Sequence, residues 1–170
     1  KVSIAAASQH FEAQGKRMVA AARRGLTKAA SRGVQVMVTQ IIPARSPQPV
    51  DRGVYRAGWK TEQVDENTVL ILNPEPHAVF IEEGVRAENV KIGAAMIRAL
   101  SEWVVRKGIA RDPDEATGIA WAIANNMRRR GIFNRRSGRG LGILDELVKV
   151  HLDKIIRESI NIEMQRALQT

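Results

Sequence analysis

The sequence predicts an α+β fold, and three observations carry that prediction. Apolar residues recur at three- and four-residue steps over long segments at both ends of the chain. A short alternating stretch with a turn signal, residues 54–73, reads as a β-hairpin. Between about 90 and 131 two further amphipathic segments read as helices. The expected architecture is a long N-terminal helix, a small antiparallel hairpin sheet, two middle helices and a long C-terminal helix, forming a single domain over residues 1–170.

The first helix is expected from about 4 to 42. Phe11, Gly15, Met18, Ala22, Leu26, Ala29, Gly33, Met37 and Ile41 share one face, and Pro43 supplies the stop. Gly and Ala are common along that stripe, so a partner helix can approach closely. "PARSPQPVDRG", residues 43–53, carries loop chemistry. In "VYRAGWKTEQV" the alternation of Tyr55, Ala57 and Trp59 against Arg56 and Lys60 predicts a half-buried strand. "DEN" (65–67) is its turn and "TVLILN" (68–73) the returning strand. "PEPHAVFIEEG" (74–84) fits a third short strand or a turn of helix equally well.

Ile92, Met96, Leu100 and Trp103 line a helix ending near Gly108. In the next helix Asp112 is the N-cap, Pro113 the first helical residue, Glu115 the closing member of a capping box and Gly131 the C-terminal cap. Its expected stripe is Ala116, Ile119, Ile123 and Met127. The last helix, about 142–168, carries Leu144, Leu147, Val148, Leu152, Ile155, Ile156 and Ile160 on one face. Ile143, Val150 and Ile162 fall outside that face, and an apolar surface this broad implies deep burial or a second molecule.

Composition narrows the function. Net charge is +9 with a sequence pI near 10.6, which favours a polyanion or an acidic protein surface as partner. No cysteine is present, which excludes disulfides and thiolate metal sites. No apolar run approaches the length of a membrane span, and "KVSIAAASQHF" is too short in its apolar part for a secretory signal. His10, His77 and His151 stand in no metal-ligand spacing. His77, with Glu82 and Glu83 close behind, reads as a partly exposed histidine at an element end. Asp112, Asp114 and Glu115 are explained by helix capping rather than a cation. Phosphate-binding, nucleophile-elbow and dinucleotide motifs are all missing, so no catalytic residue, metal ligand or cofactor is expected, and the protein is read as not an enzyme.

The segment "MRRRGIFNRRSGRGLG" (127–142) holds six arginines and four glycines without an acid. Residues 131–142 are expected to form a flexible basic loop. Phe133 is its one stacking aromatic and no reader motif accompanies it, so Arg128, Arg129, Arg130, Arg135, Arg136 and Arg139 are assigned to docking on an acidic protein.

Two phrases resemble a known family. Pro49, Val50, Asp51, Gly53, Arg56 and Trp59, followed by a hairpin and then Ala78, Ile81, Glu82 and Gly84, are similar to the phrases of tail-completion proteins of long-tailed phages, also called neck proteins or minor tail components. Arg52, Gly58, His77 and Val85 depart from the usual residues. The order of the later helices fits as well, so the resemblance covers roughly 45–168. It implies a virion protein, made in the host cytoplasm, that completes the tail and joins it to the DNA-filled head. It further implies a homo-oligomeric, six-fold ring contacting connector and tail proteins. DNA passes nearby, and sequence-specific binding is not expected. Asp51, Gly53, Trp59, Glu82 and Gly84 are then structural motif residues, and Ile143, Leu147 and Val150 candidate ring contacts. Two alternatives have a similar appearance: a tail terminator capping the tail tube, and a basic nucleic-acid-binding protein.

Overall fold

The structure, a computed structural model, describes residues 4–45, 52–132 and 140–169, except for the side chains of 5–7. In chain order the helices are α1 (Ile4–Val36), α2 (Ile42–Ala44), α3 (Val54–Ala57), α4 (Ala78–Glu83), α5 (Ala94–Arg106), α6 (Pro113–Arg130), α7 (Ile143–Glu146) and α8 (Asp153–Leu168). Strands β1 (Lys60–Asp65) and β2 (Thr68–Leu72) form an antiparallel hairpin. The fold is α+β, with the long terminal helices and the hairpin where the periodicities put them. The chain is organised as two compact units, one of Lys1–Ala44, Ala57–Pro74 and Leu144–Thr170, the other of Arg45–Arg56 and Glu75–Ile143.

In the first unit α1 runs antiparallel to the C-terminal helix. A Cβ at Gly25 would lie 2.6 Å from the Ile160 Cα, and one at Gly33 would meet Leu147 and Ile71. Small residues thus let other elements come close to α1: Gly33 belongs to the expected stripe and meets β2 and the π turn, whereas the closest approach, to α8, is at Gly25, which lies outside that stripe. Phe11 and Gly15 are exposed, so the stripe is covered only in its later part.

Both long helices contain a π turn, Met37–Ile41 and Leu147–Leu152. The first precedes Pro43. Ile42 N–H reaches back five residues to the Met37 carbonyl, and helix continues through the proline to Ala44 instead of stopping at residue 42. A proline offers no N–H to the turn before it, and the widened turn accommodates that gap. The second π turn shifts the phase of the buried face of the last helix, while Val150 and Ile162 stay exposed. At 100° per residue, Ile155 would lie about 80° away from Leu147; one residue absorbed in a π turn brings them within about 20°. Leu147, Ile155, Ser159 and Glu163 are accordingly all buried.

Glu163, 4% exposed, is the charged residue of this packing. It accepts from Lys28 Nζ at 2.5 Å, Arg166 at 2.8 Å and Arg24 Nε at 3.1 Å. Hydrogen bonds from Lys28 and then Arg24 hold its carboxyl down at about 2. The hairpin is tied to α1 by Arg23, which meets Glu66 at 2.6 Å, and by Thr27 with Gln63. At the hairpin tip Asp65 accepts from the Asn67 backbone at 2.7 Å, which lowers its pKa and fixes the turn.

The strand expected from residue 54 begins only at Lys60; Val54–Ala57 is a helical turn. Tyr55 and Trp59 are both buried, and their four-residue spacing suits helix as well as it suits alternation.

In the second unit Ile97, Ala120 and Ala124 form a buried cluster, with Ile92, Met96 and Leu100 packed on it. The N-cap half of the capping box holds, and the return bond reaches one residue further back, to Arg111 instead of Asp112. Asp112 accepts from Glu115 N at 2.8 Å, and Glu115 Oε2 accepts from the Arg111 backbone at 2.7 Å. The deepest line of α6 is Ala116, Ala120 and Ala124, because small residues permit the closest approach. Ile119, Ile123 and Met127 flank it. Residues 78–83 resolve the open choice between strand and helix in favour of helix.

Candidate docking site

The site grows from α4, only six residues long. Ala78 and Ile81, three apart, turn inward and are buried. Val79 and Phe80 therefore turn outward, 48% and 53% exposed. Gly84 ends the helix with φ 74°, and its N–H reaches the Phe80 carbonyl. From α3, the Tyr55 hydroxyl donates to Glu82 Oε1 at 2.6 Å, and its ring centroid stands 6.3 Å from that of His77. The two phrases singled out in the sequence are thereby joined, through a tyrosine that the motif reading had not ranked. Gly53 takes φ 78°, as its turn requires. Trp59 is buried in the other unit. Asp51 lies outside the described residues.

The chain around the basic segment is pinned to residues 81–85 on both sides. Val85 and Ile132 pair by backbone bonds of 2.8 and 3.3 Å. Leu141 N–H donates to the Ile81 carbonyl at 2.8 Å, and Gly142 N–H to that of Glu82 at 3.2 Å. Glycine is needed at both crossings: a Cβ at Gly140 would overlap the Glu82 carbonyl, and one at Gly131 would lie 2.5 Å from the Val85 oxygen. Gly131, at φ 78°, also caps α6 by donating to Met127 at 2.7 Å.

Arg128, Arg129 and Arg130 form the exposed last turn of α6. Arg128 donates to Asn125 Oδ1 at 3.2 Å; among the described residues neither Arg129 nor Arg130 meets a carboxylate. Phe133, Arg135, Arg136 and Arg139 lie outside the described residues. Next to Gly131, a concavity of about 490 Å³ is lined by Val79, Phe80, Glu83, Val85, Arg86 and Asn89. The sequence reading missed it. The signal was available in the burial pattern of α4, since an inward pair three apart leaves two large apolar neighbours outside.

The proposed ring contacts divide. Ile143 and Leu147 are 0% and 1% exposed, which removes them as partner contacts, because a side chain filled in by its own chain has no surface to offer. Val150 is 65% exposed, with Val148 beside it on the π turn. Among the described residues no group of three histidine, aspartate or glutamate side chains is placed to hold a metal ion, and no helix is long and apolar enough to cross a membrane.

The fold and site define an α+β chain of two helix-rich units with a concavity of mixed apolar and charged lining beside an arginine-rich helix end. No protein-family model, characterised protein or solved structure matches it.

Proposed function

We propose that this chain is a structural protein of the phage neck, which completes the tail and joins it to the DNA-filled head as a subunit of a homo-oligomeric, six-fold ring. The observation that carries the reading is the meeting of the two phage-like phrases, with Tyr55 of the first donating to Glu82 of the second at 2.6 Å. The bond is partly buried and supports the reading by bringing the two segments together within one unit.

Surface chemistry supports an assembling role over catalysis. A ring needs a different patch on each side of every subunit. Phe11 and Val19 on α1, and Val148 and Val150 on the C-terminal helix, are large apolar side chains open to solvent. Arg129 and Arg130 suit an acidic neighbour in the stack of connector and tail proteins. In this reading the protein is non-catalytic, uses no cofactor and resides in the virion after synthesis in the host cytoplasm.

Electron microscopy of a lysate from a phage deleted for this gene tests the proposal. Full heads beside free tails of normal length are expected. Tails of abnormal length would replace this reading with a terminator role, and intact infectious particles would overturn both.

A further inference from the structure

The concavity beside α4 and the arginine end of α6 adjoin. Gly131 follows Arg130 directly and abuts the backbone of Val85, Arg86 and Ala87. Val85 and Arg86 line the concavity with Val79 and Phe80. Arg86, exposed, lines the concavity with Glu83 as the one carboxylate there, and the exposed Arg128, Arg129 and Arg130 stand on the last turn of α6, directly before Gly131. Helix C-termini favour cations through the macrodipole, and that would account for some of the arginines. It does not account for two exposed apolar side chains on another helix opening into the same place, or for Arg86, which is not on α6. A site for duplex DNA would use the charge and leave Val79 and Phe80 in water.

We infer that this is a docking surface for an acidic segment of a neighbouring protein that carries one large apolar anchor residue. The anchor seats against Val79 and Phe80, and its flanking carboxylates meet Arg86, Arg129 and Arg130. The concavity's volume falls in the range of sites that take up a compact group. A central apolar anchor inside a charged rim is the arrangement in which few residues dominate affinity while the charges set rate and salt dependence. The inference rests on the docking role proposed above for the arginine end of α6, and it adds the chemistry of the partner.

The test uses the purified full-length chain and three dye-labelled probes in fluorescence anisotropy. These are a twelve-residue peptide of Asp and Glu with one central Trp, the same peptide with Ala for Trp, and a duplex DNA of matched charge. Phe80→Ala is expected to weaken the Trp peptide by about tenfold and leave the Ala peptide unchanged, a coupling that charge alone does not produce. Arg129→Gln with Arg130→Gln is expected to weaken both peptides and flatten their salt dependence. Equal effects of Phe80→Ala on the two peptides overturn the anchor, as does preferential binding of the DNA irrespective of Phe80. Phe80 is half-exposed, so the variant should fold; Val79→Ser, checked by circular dichroism, provides a second route to the same coupling. Failure of the neck reading is seen separately. A phage carrying the double arginine variant that joins heads to tails normally refutes that role, whatever the peptides do.

Discussion

Gly25→Ala puts the packing of the two terminal helices to a direct test, because the same substitution ten residues earlier should stabilise and this one should not. In an exposed helix interior, Gly→Ala stabilises by about 1 kcal/mol, since alanine loses less backbone entropy and packs no new polar group. Gly15 is such a position: a Cβ there meets nothing within 4 Å. At Gly25 the same methyl would lie 2.6 Å from the Ile160 Cα and 3.1 Å from the Ile160 nitrogen. Ordinary contact begins at 3.4 Å, so the α8 backbone must retreat by about 0.8 Å, and backbone has no rotamer with which to evade the clash. Overpacking of this kind costs roughly 1–3 kcal/mol, which equals or exceeds the propensity gain. Gly15→Ala should therefore raise stability by about 1 kcal/mol, whereas Gly25→Ala should be neutral to about 2 kcal/mol destabilising. Urea unfolding followed at 222 nm reads both, provided the slope m is shared. If Gly25→Ala stabilises as much as Gly15→Ala, the helices do not approach at Gly25 and the placement of α8 on α1 is wrong.

Three other expectations follow from the same interior and its ends. Glu163, held at about 2 against an ordinary value of 4.5, contributes stability that is fully present above pH 4.5 and is lost as pH falls toward 2. Glu163→Gln should lower the melting temperature at neutral pH and flatten the acid limb in that window; an unchanged acid limb would show that Lys28 and Arg24 do not stabilise the carboxylate. Leu147→Ala should cost about 2.7–5 kcal/mol and Val150→Ala under about 0.5 kcal/mol, a contrast that thermal melts would invert if Leu147 faced a partner instead of the interior. Asp112→Ala removes the N-cap acceptor of α6 and should cost about 0.5–2 kcal/mol, with Asp112→Asn retaining most of the stability; equal losses would mean that the cap bond is not what matters.

Local chemistry was the legible part of this fold. The Asp112–Glu115 cap bond, the Gly131 cap, the turn at 65–67 and the glycine after Glu83 are decided by neighbours within a few residues, and each stands where the residues put it. Errors arose where phase over distance was needed. Residues 55, 57 and 59 alternate, but 55 and 59 alone are also one helical step apart, and only burial distinguishes the two patterns. The π turn at Leu147–Leu152 shifts the downstream phase by one residue and brings Leu147 into line with Ile155, which a regular helical period does not do.

The docking site was illegible for a different reason. Its arginines were conspicuous, but a run of charge carries no indication of what it adjoins. The adjacency comes from backbone pairing between Val85 and Ile132, forty-seven residues apart in sequence, and no periodicity reports a contact at that separation. Once the pairing is made, the meaning of the charge changes. An isolated cationic helix end is satisfied by its own dipole and by water. The same end set beside exposed Val79 and Phe80 offers two terms to one partner: apolar area removed from water at roughly 25 cal/mol per Å², and Coulomb attraction strengthened as that water leaves. A polyanion without an apolar group can use only the second term, and high salt removes it. Binding that survives moderate salt and still needs Phe80 would therefore identify a protein partner over duplex DNA.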